Sequence, residues 1–335
     1  MSRKIEISLE NIDISLTAEL LDEVNRDACD ILWKNIPYES VLLHTMVSGK
    51  NVHTFIPEPL PFYEHQLTLA RRMATAPGTV FSPFPRCLFI KYGPDSEDHS
   101  FPPVARLVES DLPQLDRLGK MAWDSMYKTK EIHRLRVTRV GDETPSKTFK
   151  ARLYEPASFE SQQVGHLVGE INAEIEKFWF APPAELVNLT SGRQSTRTGM
   201  GSYGQYFSTL FYAEGEVNRL SNIPNIGCID NLLRLCRQSE IDLPTLKTAT
   251  KTLCTGSIQY LKMCGQGTIS TFFNQAVEAF PSLTSKNEYF RLFSTFALYT
   301  SRLHAWHTHL FPWHLAGDQL PYTFEGQAQI QARAS

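Results

Sequence analysis

The chain has 335 residues, 42% of them apolar, and a formal charge of -3. That composition belongs to a globular protein, and the lack of a basic excess excludes a global nucleic-acid footprint. No run approaches the roughly 20 apolar residues of a membrane helix, the start Met1–Glu6 lacks a signal peptide's apolar core, and six scattered cysteines without a CxxC pair read as reduced thiols, so a cytoplasmic protein is expected.

Ile5, Ile7 and Leu9 alternate with Glu6, Ser8 and Glu10, a turn falls near Asn11, and Ile12, Ile14 and Leu16 resume the alternation, so the chain opens as a β-hairpin. The period then lengthens. Leu21, Val24, Ala28, Ile31 and Leu32 share a helical face, with Asp22 as N-cap and Pro37 as the stop. Short strands are expected at 41–47, 79–82, 87–92 and 104–109, between Pro- and Gly-rich loops. A second helix starts at Ser110 and turns Leu112, Leu115, Leu118 and Ala122 inward, and 132–140 is a closing strand. This order predicts a small mixed or closed sheet with helices against it.

The polar segment 141–150 is the expected boundary. Beyond it Val164, Leu167, Val168, Ile171, Ile175, Phe178 and Trp179 make a sustained helical stripe, and further helices are expected at about 205–220, 228–238, 245–264, 268–280 and 287–310. The loop 182–204, rich in Thr, Ser, Gly and Arg, is a candidate lid. The reading is an α+β protein: a barrel domain over 1–145, a helical domain over 150–316 and a partly disordered tail over 317–335.

Gly199, Gly201 and Gly204 satisfy GxGxxG, yet the preceding 190–198 is polar with two arginines, so no buried strand delivers the loop and no nicotinamide cofactor is expected. His304, His307, His309 and His314 are dense, and His304 and His307 share a helix face, but no Cys or carboxylate is interleaved; no metal is assigned to this aromatic helix end. Basic residues of the first half, among them Arg71, Arg86 and Lys128, read either as a solvated face or as anchors for carboxylates, for which the arginine fork is suited. Arg86 stands out because Phe81-Ser-Pro-Phe84-Pro-Arg86 is a stiff aromatic turn entering a strand. His44, on a strand with Leu42 and Met46, is either a satisfied core histidine or an acid/base group. His53 falls in a loop. Glu64, in a proline-stiffened aromatic segment, is either a surface acid or a carboxyl whose pKa burial would raise.

The runs Leu16–Cys29, Leu43–Gly49, Pro77–Ser82 and Leu88–Gly93 resemble, in that order, a bacterial cyclophilin-like family with a small closed β-barrel flanked by helices. The Arg/Phe/Gln/His set of prolyl isomerases is not recognisable, so the likeness carries no isomerase activity. The added helical half and the overall length resemble the cucumopine/mikimopine synthases, opine enzymes carried on hairy-root transferred DNA. That resemblance implies a cofactor-independent Pictet–Spengler cyclisation of L-histidine with 2-oxoglutarate, in the cytoplasm of the transformed plant cell. On this reading Glu64, His44 and His53 are the acid/base candidates. Arg86, Lys128 and Arg71 are carboxylate anchors, and Phe81 and Phe84 pack on the imidazole. Self-association into a homo-oligomer stays open. The alternative is a non-enzymatic barrel that holds a small carboxylate or a peptide segment.

Overall fold

The structure is a computed structural model and describes residues 3–10, 12–45, 48–57, 67–82, 86–142, 154–192, 203–221 and 227–313. The first half carries strands β1 (Lys4–Leu9), β2 (Ile12–Leu20), β3 (Tyr38–His44), β4 (Asn51–Phe55), β5 (Ala70–Arg71), β6 (Thr79–Phe81), β7 (Cys87–Lys91), β8 (Ser100–Phe101), β9 (Pro103–Leu107) and β10 (His133–Arg139). Eight of them close a barrel in the order β1-β10-β3-β4-β7-β6-β9-β2, every neighbour antiparallel, while β5 and β8 form a separate two-stranded ribbon. This is the cyclophilin-like closed barrel that the sequence resemblance implied.

Alternation explains the barrel core. Ile5, Ile7, Leu16, Ala18, Leu42, Val52, Val80, Leu88, Ile90, Leu135 and Val137 are all buried in one apolar set. Helices α1 (Asp22–Asn35) and α2 (Leu115–Asp124) add Ala28, Cys29 and Leu32, and Leu115, Leu118 and Ala122, to the same set. A 3₁₀ turn over Glu109–Gln114 holds Pro113 and precedes α2, so the helix begins later than Ser110.

After Arg139 the described residues contain no strand. They form α3 (Gln162–Lys177), α4 (Ala184–Thr190), α5 (Tyr203–Ser221), α6 (Cys228–Arg237), α7 (Leu243–Met263), α8 (Gly267–Glu278) and α9 (Lys286–Leu310). None is long and apolar enough to cross a membrane. The apolar core of this bundle takes in Val41, Leu43 and Phe55 from the outer face of β3 and β4. The bundle therefore packs directly on the barrel wall. Trp179 secures the junction, its indole Nε1 donating to the Glu39 carbonyl at 3.0 Å.

Two expectations are corrected. The segment around His53 is strand β4, paired with β3 and β7, and not a loop. Within 182–204 lies α4, which buries Leu186 and Leu189; 193–202, with Gly199 and Gly201, lies outside the described residues, as do most of the boundary 141–150 and the tail 317–335. All six cysteines are buried and none is in a disulfide.

Candidate active site

Register decides where the candidate histidines point. In the β3–β4 ladder Leu43 faces His53, and His44 faces Val52. Val52 is barrel core, so His44 points inward and His53 outward.

His44 is 2% exposed. Its Nδ1 lies 2.7 Å from the Thr45 carbonyl and its Nε2 2.8 Å from the Tyr92 hydroxyl. A carbonyl oxygen can only accept, so Nδ1 carries the proton and Nε2 accepts from the tyrosine. Gly119 on α2 makes room for this: a Cβ there would stand 2.3 Å from the Tyr92 ring. Trp123 meets the imidazole edge-on, with ring centroids 5.1 Å apart, and stacks on Tyr127 at 4.0 Å. Burial holds the His44 pKa below the ordinary histidine value, against a smaller upward pull from the Thr45 carbonyl. The histidine floors a pocket of about 580 Å³ edged by Lys50, Lys120 and Lys128. Lys128 pairs with Asp124 at 2.8 Å. Both nitrogens of His44 are thus engaged in holding the pocket together.

The outer face is built differently. Leu43, His53, Phe89 and Phe81 form one cross-strand row over β3, β4, β7 and β6. The His53 ring lies 5.5 Å from that of Phe89 and 5.8 Å from that of Phe55. Helix α9 faces this row. Arg302 is fully buried, with its guanidinium over the rings of Phe55, Trp179 and Trp306 at 5.1, 4.8 and 5.0 Å. Its Nη2 donates to the Trp179 carbonyl, whereas Nε and Nη1 have no hydrogen-bond partner. Nδ1 of His53 and Nδ1 of His309 are likewise buried without partners.

The electrostatics of this junction are cationic. Lys130 donates to the carbonyls of His309 and Phe311 at 2.8 and 2.6 Å, and burial pushes its pKa down to about 8. Burial likewise pushes Arg302 down to about 9. His53 is pushed down to about 3, mainly by burial and then by the charges of His304, His44, Arg302 and His309. His309 falls to about 4, again through burial; its Nε2 donates to the Lys130 carbonyl at 3.2 Å, so Nδ1 presents a bare lone pair. Helix α5 brings a carboxylate: Glu214 Oε1 lies 3.0 Å from His304 Nε2. At neutral pH His53 and His309 are therefore uncharged, beside an arginine that pairs with no carboxylate among the described residues.

The other expected residues scatter. Arg86 is 1% exposed and donates to Asp230 Oδ1 at 2.8 Å and to Ser301 Oγ at 3.1 Å. The carboxylate it meets is the protein's own, on α6, where the sequence reading expected one from substrate. Arg71 pairs with Asp98 on the β5–β8 ribbon, largely in solvent. Phe81 is buried against Cys87 and Phe89. Glu64, Phe84 and His314 lie outside the described residues. His304 and His307, expected on one helix face, reach different partners, Glu214 and Gln266. Among the described residues no three His, Cys, Asp or Glu side chains stand close enough to hold a metal.

Sequence reasoning missed Arg302, Glu214 and the part played by Trp179. One signal was available. Arg302 is followed at i+4 by Trp306, a spacing that stacks the two on one helix face.

Residues 164–310 match the family described as the cucumopine synthase C-terminal helical bundle domain. Among solved structures the chain is similar to that of McbB in complex with tryptophan, with a TM-score of 0.84 and 32% identity over 94% of this chain and 99% of that one. No curated protein matches.

Proposed function

We propose, from the premise that this chain belongs to the cucumopine synthase and McbB family, that it is a Pictet–Spengler-type synthase joining L-histidine to 2-oxoglutarate. The amine adds to the ketone and water leaves, giving an iminium. An imidazole carbon of the substrate attacks the iminium carbon, and loss of that carbon's proton restores the aromatic ring. Atoms balance as the two reactants less one water, with no net oxidation or reduction. What the enzyme supplies is orientation and a proton acceptor, and holding two reactants in register contributes several kcal/mol, up to roughly 7–11 in favourable cases.

The observation that carries this reading is His53. It is an unprotonated imidazole with an unpartnered Nδ1, on the barrel face that meets α9 and beside the Glu214–His304 pair. Glu64, which follows β4 in the chain and lies outside the described residues, remains the proposed proton acceptor, and His53 the group proposed to relay a proton. His44 and Lys128 are assigned to the separate pocket by α2 and take no step in the reaction. The solved complex of McbB with tryptophan supports an aromatic amino acid as one reactant.

Purified protein incubated with L-histidine and 2-oxoglutarate, without nicotinamide, should yield a product whose mass is their sum less one water. Tryptophan in place of histidine is the control arm. Product from tryptophan alone would overturn the histidine assignment, and binding without product from either would favour a carboxylate-binding protein.

A further inference from the structure

We propose that Arg302 is the anchor for the side-chain carboxylate of a dicarboxylic 2-oxo acid, so that the helical half sets which oxo acid is accepted. The inference rests on the synthase reading for its reaction, but on the geometry of Arg302 for its substrate class.

A guanidinium has five N–H donors and no acceptor. Arg302 is 0% exposed and engages Nη2 with the Trp179 carbonyl, leaving Nε and Nη1 buried and unbonded. Burying a cation without an anion costs several kcal/mol, and aromatic faces recover only part of it. Buried arginines in a protein's own framework resolve this as Arg86 does, with a carboxylate at 2.8 Å. Arg302 has no such partner among the described residues. Both edges of the fork that take a carboxylate through two parallel bonds include Nη2, so a carboxylate meets the free Nε–H or Nη1–H by one bond and completes the pair only by sharing Nη2 with the Trp179 carbonyl.

The walls identify the rest of the ligand. Phe55, Trp179 and Trp306 surround the guanidinium, so whatever leads to the carboxylate is apolar, as a methylene stem is. The carboxyl adjoining the ketone has no such stem. His53, with its free Nδ1, neighbours Phe55 at 5.8 Å, which places the polar, reacting end of the oxo acid on the β4 side. Since Arg302 has no exposed surface, the ligand reaches it only after a rotamer change among these neighbours.

Direct binding tests this without the amine. Isothermal titration should show 2-oxoglutarate binding to the wild-type chain at least about thirtyfold more tightly than 2-oxopentanoate, which has the same carbon chain without the distal carboxylate. Arg302→Met should abolish that preference, and Arg302→Lys should restore part of it. Should Arg302→Met fail to fold, the wild-type thermal shift decides: 2-oxoglutarate should raise Tm and 2-oxopentanoate should not. Equal binding or equal shifts for the two acids, or an unchanged preference in Arg302→Met, would overturn the proposal and leave Arg302 as a framework cation. These outcomes are separate from product formation, whose absence in a protein that still selects 2-oxoglutarate would overturn the synthase reading alone.

Discussion

His53 stands opposite Leu43 and His44 opposite Val52, so the two imidazoles leave one β-hairpin on opposite faces of the sheet. One is hydrogen-bonded at both nitrogens and the other is free at Nδ1. Their replacements should therefore act differently. His44→Gln should lower stability by about 1–3 kcal/mol, since it leaves a buried partner unmet, while turnover of the folded protein stays within about threefold. His53→Gln should leave stability nearly unchanged and lower turnover at least tenfold. Denaturant unfolding and steady-state rates on both variants check this; the opposite pattern would move the site to the pocket beside α2.

Arg86 joins β7's entrance to α6 and α9. Breaking its buried pair with Asp230 should cost about 3–5 kcal/mol, because the surviving charge stays buried. Arg86→Ala and Asp230→Ala should each lower Tm by several degrees. The double variant should lose less than the two combined, as a double-mutant cycle on contacting residues requires. A raised Michaelis constant for 2-oxoglutarate at unchanged Tm would instead return Arg86 to the role of substrate anchor.

Acid should destabilise the protein before carboxylates titrate. Burial pushes His53 and His307 down to about 3 and His309 down to about 4. In the unfolded chain each binds its proton near pH 6.5. Between those values the unfolded state holds more protons than the folded one, so the stability these groups contribute is present above pH 6.5 and is lost as pH falls toward 4 and below. With three histidines lagging, the slope reaches up to about 4 kcal/mol per pH unit between pH 5.5 and 4.5. Urea midpoints across pH 7 to 4.5 measure it, and His307→Phe should remove about a third. A flat profile would show that these imidazoles are not buried uncharged.

Local pattern made much of the architecture legible. The alternation of Ile5, Ile7 and Leu9 and the stripe from Val164 to Trp179 each bury one face, and reading them needs no distant partner. Barrel closure was legible only through family likeness, because β1 pairs with β10, more than a hundred residues away, and β-pairing at that range leaves no trace in spacing. Strand β4 was missed for a local reason: Asn51 and His53 flank Val52 in a sequence that reads as polar, and its outer face is covered by the bundle, not by solvent. The site was harder still. What distinguishes Arg302 from Arg86 is the presence or absence of a facing carboxylate, and Asp230 comes to Arg86 from 144 residues along the chain.

Removing the ring proton at the last chemical step needs a group unprotonated near neutral pH and close to the iminium. His53 meets the first condition, yet a pKa near 3 makes it a weak base that neither drives the removal nor retains the proton and can only pass it on. A carboxylate whose pKa its surroundings raise is better matched, and Glu64 follows the strand that carries His53. Glu64→Gln keeps the shape and removes the base, so turnover should fall a hundredfold or more, in line with the roughly 10²–10⁴-fold typical of general bases, while Michaelis constants change little. Arg302→Met should do the reverse, chiefly raising the Michaelis constant for 2-oxoglutarate, because the carboxylate contact is made in ground and transition states alike. Initial rates over both substrate concentrations separate the two. If Glu64→Gln turns over at the wild-type rate while His53→Gln does not, the proton passes to the imidazole. If both retain full activity, the acceptor is His304, held by Glu214, and Glu214→Gln is the variant that should then slow the reaction.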